Sequence, residues 1–209
     1  MLLYYITDRR QFAGDEARRR RSLLAGIAEA AHLGVDFIQL REKDLTAAQL
    51  ESLANQASQV IRQNSTTVRF LINSRSDVAL ACAADGVHLP SGDIVPPDAR
   101  AIWKAAVPAG PPCLVGVSCH SSAEVEFAAS HGADYALYGP VFEKKDHPEV
   151  TPSGLDGLRQ ACRYKIPVLA LGGITAANAR SCIDAGAAGI AAIRMFQQDS
   201  LSEVIKRLR

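Results

Sequence analysis

The sequence has almost no net charge and no long hydrophobic run. Its 23 basic and 22 acidic side chains give a net charge of +1, so the chain lacks the strong field that attracts nucleic acid or anionic membranes. No apolar stretch approaches the roughly 18 residues of a membrane span, and the first residues lack the basic start and apolar core of a signal peptide. We therefore expect a cytoplasmic protein that binds small molecules rather than nucleic acid or membranes.

Cysteine is also scarce. The five cysteines are odd in number and include no C-x-x-C pair, which speaks against a disulfide framework and against a zinc site. What the chain does have is 48% hydrophobic and 22% charged residues over 209 positions, a composition typical of one well-buried domain. Because no linker or low-complexity segment interrupts it, the prediction is a single domain over residues 1–209.

Short β-rich runs alternate with longer amphipathic helical patterns along the whole chain. Such repeats predict a parallel sheet covered by helices, and eight of them suit closure into a single-domain α/β fold, the (β/α)8 or TIM barrel. A doubly wound open sheet is the alternative, but no G-x-G-x-x-G follows the first run to support its dinucleotide-binding form. The predicted strands are Leu2–Ile6, Asp36–Leu40, Val68–Ile72, Gly86–Leu89, Leu114–Ser118, Tyr135–Gly139, Val168–Gly172 and Gly189–Ile193.

Polar residues follow the early strands, at the end where such barrels carry their active sites. After the second strand, alternation places Gln39, Arg41 and Lys43 on one side, and two adjacent cations suit a diphosphate or carboxylate ligand. The alternative is a surface salt bridge of these cations with Glu42. After the third and fourth strands, Asn73 and Asp93 offer oxygen ligands for Mg²⁺, or serve as turn and cap residues.

The later strands end in further candidates. Ser118 and His120 bring a hydroxyl and an imidazole to the rim, where a histidine suits acid–base chemistry near neutral pH. After the sixth strand, the charged segment 143–148 is long enough to fold over a ligand and carry Lys144 or Lys145 inward, unless it is a solvated loop.

A glycine pair follows the seventh strand. Gly172 and Gly173 allow backbone N–H groups to approach an anion closely, and Arg194 adds a cation after the eighth strand. This is the region in which barrels often bind phosphate.

Taken in order, these segments resemble the thiamine-phosphate synthase and thiazole tautomerase family, whose fold is the same barrel. The similarity spans nearly the whole chain, and the ordered combination is more specific than any one piece. The matching segments are Tyr5-Ile6-Thr7-Asp8, Gln39-Leu40-Arg41-Glu42-Lys43, Ile72-Asn73-x-Arg75-x-Asp77, Ala84-Asp85-Gly86-Val87-His88-Leu89, Gly116-Val117-Ser118-x-His120, Gly132-Ala133-Asp134-Tyr135, Gly139-Pro140-Val141-Phe142 and Leu171-Gly172-Gly173-Ile174.

The resemblance implies a transferase of thiamine biosynthesis that uses Mg²⁺ and small phosphorylated substrates, with a homodimer possible. In the synthase, an aminopyrimidine diphosphate loses pyrophosphate to give a carbocation, which the nitrogen of thiazole phosphate captures. By resemblance, the pyrimidine diphosphate would contact Gln39, Arg41, Lys43, Asn73, Ser118 and Lys144. The thiazole phosphate would lie on Gly172, Gly173, Ile193 and Arg194. Asp93 would hold the metal, and the catalytic residues would be Lys145, Ser118 and His120.

The chain departs from the synthase pattern at three places. Ser74 stands where a second metal-binding Asp is usual, Glu143-Lys144-Lys145-Asp146 replaces a Pro-Thr-x-Thr-Lys stretch, and Arg194 replaces a serine. The loss of a carboxylate is compatible with the tautomerase branch, in which His120 would move a proton during aromatisation of the thiazole phosphate carboxylate. A third hypothesis is a catalytically silent barrel that binds thiamine precursors. The retained Arg41, Lys43, Asn73 and Asp93 resemble a diphosphate and metal site and favour the synthase.

Overall fold

The computed structural model describes residues 1–143, 149–198 and 200–209. Eight parallel strands follow one another around a closed barrel in sequence order, and the last strand pairs with the first. The predicted (β/α)8 fold is therefore confirmed. Register is fixed around the circle; for example, Asn73 on the third strand lies opposite His88 on the fourth.

Strand positions agree with the prediction to within one residue at each end. Gly172 shows why one end moved, because its φ of +94° cannot continue an extended strand. The strands are β1 Leu2–Ile6, β2 Phe37–Leu40, β3 Arg69–Asn73, β4 Gly86–Leu89, β5 Leu114–Cys119, β6 Tyr135–Tyr138, β7 Val168–Leu171 and β8 Gly189–Ala192.

Helices connect consecutive strands on the outside of the barrel. None in the described part of the chain is long and apolar enough to cross a membrane. A short 3-10 helix spans Arg9–Gln11, and the α-helices are α1 Glu16–His32, α2 Ala47–Asn64, α3 Ser76–Ala81, α4 Pro96–Ala106, α5 Ser122–Ser130, α6 Gly154–Ala161, α7 Ala179–Asp184, α8 Arg194–Gln197 and α9 Leu201–Leu208.

Two apolar layers hold these elements together. Alternate strand residues such as Ile38 and Leu40 point outward into the large cluster between strands and helices, whereas Leu71, Leu137 and Leu169 fill the inside of the barrel. Because side chains alternate along a strand, the outward direction of Ile38 and Leu40 turns Gln39 into the barrel. On β2 and β3 the inward-facing rows therefore end in the polar residues Gln39 and Asn73.

Candidate active site

A chain of hydrogen bonds crosses the inside of the barrel below its mouth. Gln39 Nε2 donates to Asn73 Oδ1 at 2.9 Å, and the Tyr4 hydroxyl donates to Gln39 Oε1 at 3.2 Å. Tyr4 in turn lies 2.8 Å, oxygen to oxygen, from the hydroxyl of Tyr135. The side-chain amide of Gln39 is thereby fixed in orientation, with Asn73 on one side and Tyr4 on the other.

The same chain continues to the opposite side of the barrel. His88 Nδ1 lies 3.2 Å from the Tyr135 hydroxyl, and His88 Nε2 lies 2.8 Å from Ser118 Oγ. Sequence reasoning placed Ser118 in the site but missed Tyr4, His88 and Tyr135. The available signal was a polar group on an otherwise apolar strand, since such a group must find a buried partner.

His88 carries no charge in this environment. Its side chain is buried, and burial, helped by the positive charge of Arg41, lowers the pKa of His88 to about 3. Neutral imidazole has one donor and one acceptor nitrogen, which matches one partner on each side. Ser118 is therefore held by a neutral group, and not by an imidazolium, across the working pH range.

This pKa shift predicts a measurable pH dependence of stability. Histidine in the unfolded chain has a pKa of about 6.5. Below that pH, His88 is protonated in the unfolded chain but stays neutral in the folded protein. Stability is fully present above pH 6.5 and falls as the pH is lowered. From pH 7 to pH 5 we expect wild type to lose about 2 kcal/mol more than His88→Gln, measured by urea unfolding. Equal pH dependence of the two proteins would contradict a depressed pKa.

Two cations, Arg41 and Lys43, stand just after β2. The charges of Asp8 and then Glu42 favour the charged form of Arg41, but neither carboxylate forms an ion pair with it. Arg41 is half-buried, and its guanidinium makes no hydrogen bond or ion pair with any described residue. Burial lowers the pKa of Arg41, and the charge of Arg41, followed by burial, lowers the pKa of Lys43. Mutually repelling cations at a pocket rim favour an anionic ligand. The sequence also allowed a surface salt bridge between these cations and Glu42. That salt bridge does not form, because Glu42 is buried and pairs with Arg9.

Ser74 and Asp93 form a separate corner beside Asn73. Ser74 has a φ of +65°, and its hydroxyl donates to Asp93 Oδ2, while the backbone N–H of Ile94 donates to Asp93 Oδ1 at 2.8 Å. Among the described residues no group of three or more His, Cys, Asp or Glu side chains is arranged to hold a metal. One carboxylate and one hydroxyl fit Mg²⁺ only if a ligand supplies further oxygens, as phosphorylated substrates do.

His120 lies at the rim on the neighbouring strand end. Its Nδ1 is 2.6 Å from the carbonyl oxygen of Gly139, and its backbone N–H donates to Glu124 Oε2 at 2.7 Å. The imidazole is exposed, and its hydrogen bond joins β5 to the end of β6. Ser118 bonds to His88 instead, so the structure does not make Ser118 and His120 a hydrogen-bonded pair.

The glycine pair after β7 forms a cradle of backbone. Gly173 has a φ of +65°, and a Cβ atom there would lie 2.6 Å from the carbonyl oxygen of Glu143. The N–H groups of Gly173 and Ile174 donate to no acceptor in the described part of the chain. Because β7 pairs with β8, the predicted residues Ile193 and Arg194 follow the neighbouring strand. Backbone N–H groups presented in this way suit a phosphate.

The remaining predicted residues, Lys144 and Lys145, lie outside the described residues. The others fall into four groups around one mouth: Gln39, Arg41, Lys43, Asn73 and Ser118 along β2 to β5, Ser74 with Asp93, His120 beside Gly139 at the end of β6, and the cradle at β7 and β8.

Comparison with known proteins gives a consistent result. The family model described as thiamine monophosphate synthase matches residues 3–196. The chain is 37% identical to putative thiamine-phosphate synthase 2 of Aquifex aeolicus over 93% of this chain and 96% of that protein. It is 40% identical to the thiamine-phosphate synthase of Methanoculleus marisnigri over 91% of this chain and 85% of that protein.

Solved structures agree. Thiamine phosphate pyrophosphorylase from Pyrococcus furiosus superposes with a TM-score of 0.80 at 31% identity, over 100% of this chain and 93% of that one. A 3-hexulose-6-phosphate synthase, at 17% identity, 100% and 98% coverage and a TM-score of 0.68, shares the fold alone. The resemblance found in the sequence is confirmed, and the chain belongs to the thiamine monophosphate synthase family.

Proposed function

We propose that this protein is a thiamine-phosphate synthase, a transferase of thiamine biosynthesis that joins an aminopyrimidine diphosphate to thiazole phosphate. The observation that carries the proposal is the pair of cations Arg41 and Lys43, which form no ion pair with a described residue and stand at the same barrel mouth as the Gly172–Gly173 cradle. One mouth thus offers two separate places for phosphate groups. A reaction between a diphosphate and a phosphate monoester needs both.

The diphosphate half of the site lies along β2 to β5. Gln39 and Asn73 present a fixed pair of amides to the aminopyrimidine ring, because their mutual hydrogen bond orients both. Arg41 and Lys43 bind the diphosphate and stabilise the negative charge that grows as its bond to the pyrimidine carbon breaks. Ser118, held by His88, offers its hydroxyl to the departing pyrophosphate. Asp93 and the Ser74 hydroxyl would hold Mg²⁺, which neutralises diphosphate charge when bound.

The thiazole half lies across the mouth. The N–H groups after β7, together with Ile193 and Arg194, hold the thiazole phosphate by its anion and leave the ring nitrogen toward the pyrimidine side. Orienting the nitrogen in this way converts its attack on the carbocation into a step within one complex. For the two lysines the proposal rests on the sequence alone, which assigns diphosphate binding to Lys144 and a catalytic role to Lys145.

The direct test mixes purified protein, aminopyrimidine diphosphate, thiazole phosphate and Mg²⁺, and follows thiamine phosphate by mass. We expect product that disappears with EDTA and returns with added Mg²⁺. A known synthase assayed in parallel serves as the control for substrate quality. No product beside a working control would reject the proposal.

Ser74→Asp is expected to strengthen the metal site. An aspartate tolerates the left-handed backbone of position 74 and adds a second carboxylate beside Asp93. The Mg²⁺ concentration that gives half-maximal activity should fall about tenfold. The matched control is Ser202→Asp on the exposed side of α9, which adds the same charge far from the mouth. An unchanged Mg²⁺ requirement in Ser74→Asp would show that position 74 does not face the metal.

A second candidate function is the thiazole tautomerase. The observation in its favour is the imidazole of His120, fixed at the rim by the Gly139 carbonyl, together with the single carboxylate at the metal corner. Incubation with the thiazole phosphate carboxylate tautomer, without diphosphate or metal, tests it. Turnover there that is abolished in His120→Ala, with none in the synthase assay, would replace the first proposal by the second.

A further inference from the structure

Behind the two cations lies a buried polar cluster, made of Thr7, Arg9 and Glu42, which we call the clasp. The Glu42 side chain is 0% exposed and that of Arg9 is 5% exposed. The Thr7 hydroxyl donates to Glu42 Oε1 at 2.7 Å, the backbone N–H of Arg9 lies 3.1 Å from both carboxylate oxygens, and Arg9 Nη1 donates to Oε2 at 3.0 Å. Every donor comes from the segment that follows β1.

The guanidinium of Arg9 also hydrogen-bonds to two further carboxylates, those of Asp44 and Glu16. Its Nη1 and Nη2 donate to the two oxygens of Asp44 at 2.7 and 2.8 Å, and its Nε donates to Glu16 at 2.9 Å. The hydrogen bonds with Asp44 contribute most to raising the pKa of Arg9, and those with Arg9 lower the pKa of Asp44 to about 2. Arg9 thus stays charged and immobile between β1, the end of β2 and α1.

The clasp is also hydrogen-bonded to the backbone of β2 and of Arg41, the first of the two cations. Thr7 Oγ1 accepts from the backbone N–H of Arg41 at 3.0 Å, and the Thr7 N–H donates to the carbonyl of Gln39 at 3.0 Å. Glu42 lies between Arg41 and Lys43 in the sequence. Anchoring Glu42 against the segment that follows β1 leaves Arg41 and Lys43 to point the other way, toward the mouth.

A buried ion pair is a weak source of stability, because desolvation offsets much of its attraction. The clasp sits where a specific backbone path is needed, since like charges repel and Arg41 has no partner of its own among the described residues. The charge of Asp8, which lies in the same segment after β1, and then the charge of Glu42 oppose the lowering of the Arg41 pKa by burial.

Resting on the proposed function, we infer that Thr7, Arg9 and Glu42 are positioning residues, which aim Arg41 and Lys43 at the substrate diphosphate. They touch no substrate themselves. The clasp therefore governs diphosphate affinity and not the affinity for thiazole phosphate.

The sharpest test compares Thr7→Val with Thr7→Ser. Valine keeps the shape but removes the hydroxyl that links Glu42 to the Arg41 backbone, whereas serine keeps it. Inorganic pyrophosphate with Mg²⁺ is the probe, titrated by calorimetry. Thr7→Val should weaken pyrophosphate binding about fivefold. It should lower kcat/KM for aminopyrimidine diphosphate by at least the same factor, through a higher KM and a lower kcat together, with the KM for thiazole phosphate unchanged. Thr7→Ser should stay within about twofold of wild type.

Glu42→Gln provides a second, stronger variant. It keeps one acceptor but loses the charge, and we expect at least a tenfold loss of pyrophosphate affinity. Asp184→Asn, which breaks the exposed ion pair with Arg180 on α7, is the control for removing a carboxylate. Circular dichroism identifies any variant that is unfolded. If Glu42→Gln is unfolded, the comparison of Thr7→Val with Thr7→Ser tests the inference.

The outcomes separate the two proposals. A wild-type protein that forms no thiamine phosphate overturns the proposed function. A wild-type protein that turns over, together with a folded Thr7→Val whose pyrophosphate affinity and diphosphate KM equal those of Thr7→Ser, overturns the clasp inference alone.

Discussion

Arg41→Ala is expected to lower kcat/KM for the aminopyrimidine diphosphate by about a hundredfold to a thousandfold. The guanidinium makes no hydrogen bond or ion pair with a described residue, so its removal leaves no internal hydrogen-bonding group unpaired. The loss of its charge also removes a contribution that lowers the pKa of His88 and of Lys43. Negative charge on the diphosphate increases as the bond to carbon breaks. The interaction is therefore stronger in the transition state than in the ground state, and kcat falls as well as affinity.

Steady-state kinetics with each substrate varied in turn measures this effect. The matched control is Arg159→Ala on α6, which removes an exposed guanidinium paired with Asp156. The KM for thiazole phosphate should stay near the wild-type value in Arg41→Ala, because that phosphate lies across the mouth. A loss below about threefold in kcat/KM would remove Arg41 from the diphosphate site.

Asp93→Asn is expected to reduce Mg²⁺-dependent product formation by about a hundredfold or more. Asp93 is the carboxylate at the metal corner, and Ser74 supplies only a hydroxyl next to it. The substitution keeps the shape of the side chain and an oxygen for the Ile94 N–H, but removes the negative charge that attracts the cation. Raising the Mg²⁺ concentration should restore part of the activity.

A binding measurement tests the role of Asp93 in holding the metal independently of turnover. Mg²⁺ should strengthen the binding of inorganic pyrophosphate to wild type much more than to Asp93→Asn. Asp98→Asn, an exposed carboxylate in the first turn of α4, controls for the lost charge. If Mg²⁺ improves pyrophosphate binding equally in Asp93→Asn and wild type, the metal is held elsewhere.

The pattern of the sequence was sufficient for the barrel because strand and helix periods are local. Leu2–Ile6 and Gly86–Leu89 were predicted with both ends correct, and the other six strands differ from the prediction by one residue at one or both ends. Right-handed strand–helix–strand units leave few ways to join eight parallel strands. The rim residues also followed, since they come directly after each strand.

The partners of the buried polar side chains inside the barrel could not be predicted in this way. Tyr4 and Tyr135 are 131 residues apart in the chain, and His88 and Ser118 are 30 apart; their contact depends on barrel closure and register. Nothing local in the sequence distinguishes a tyrosine on the inner face from one such as Tyr5, which packs outward. The sequence thus signals buried polar groups on these strands, but the hydrogen bonds that fix Gln39, Asn73 and Ser118 were not predictable until the strands were paired.

The sequence by itself determined the repeating strand–helix units, the polar residues at the strand ends and the family. Only the tertiary structure decided three side-chain pairings. Glu42 forms its ion pair with Arg9 and not with Arg41, Ser118 hydrogen-bonds to His88 and not to His120, and the Ser74 hydroxyl donates to Asp93. The physical reason is common to all three. Side-chain alternation follows from the geometry of one strand, but the partner of a buried polar group is chosen by whichever distant segment closure of the barrel brings within hydrogen-bond distance.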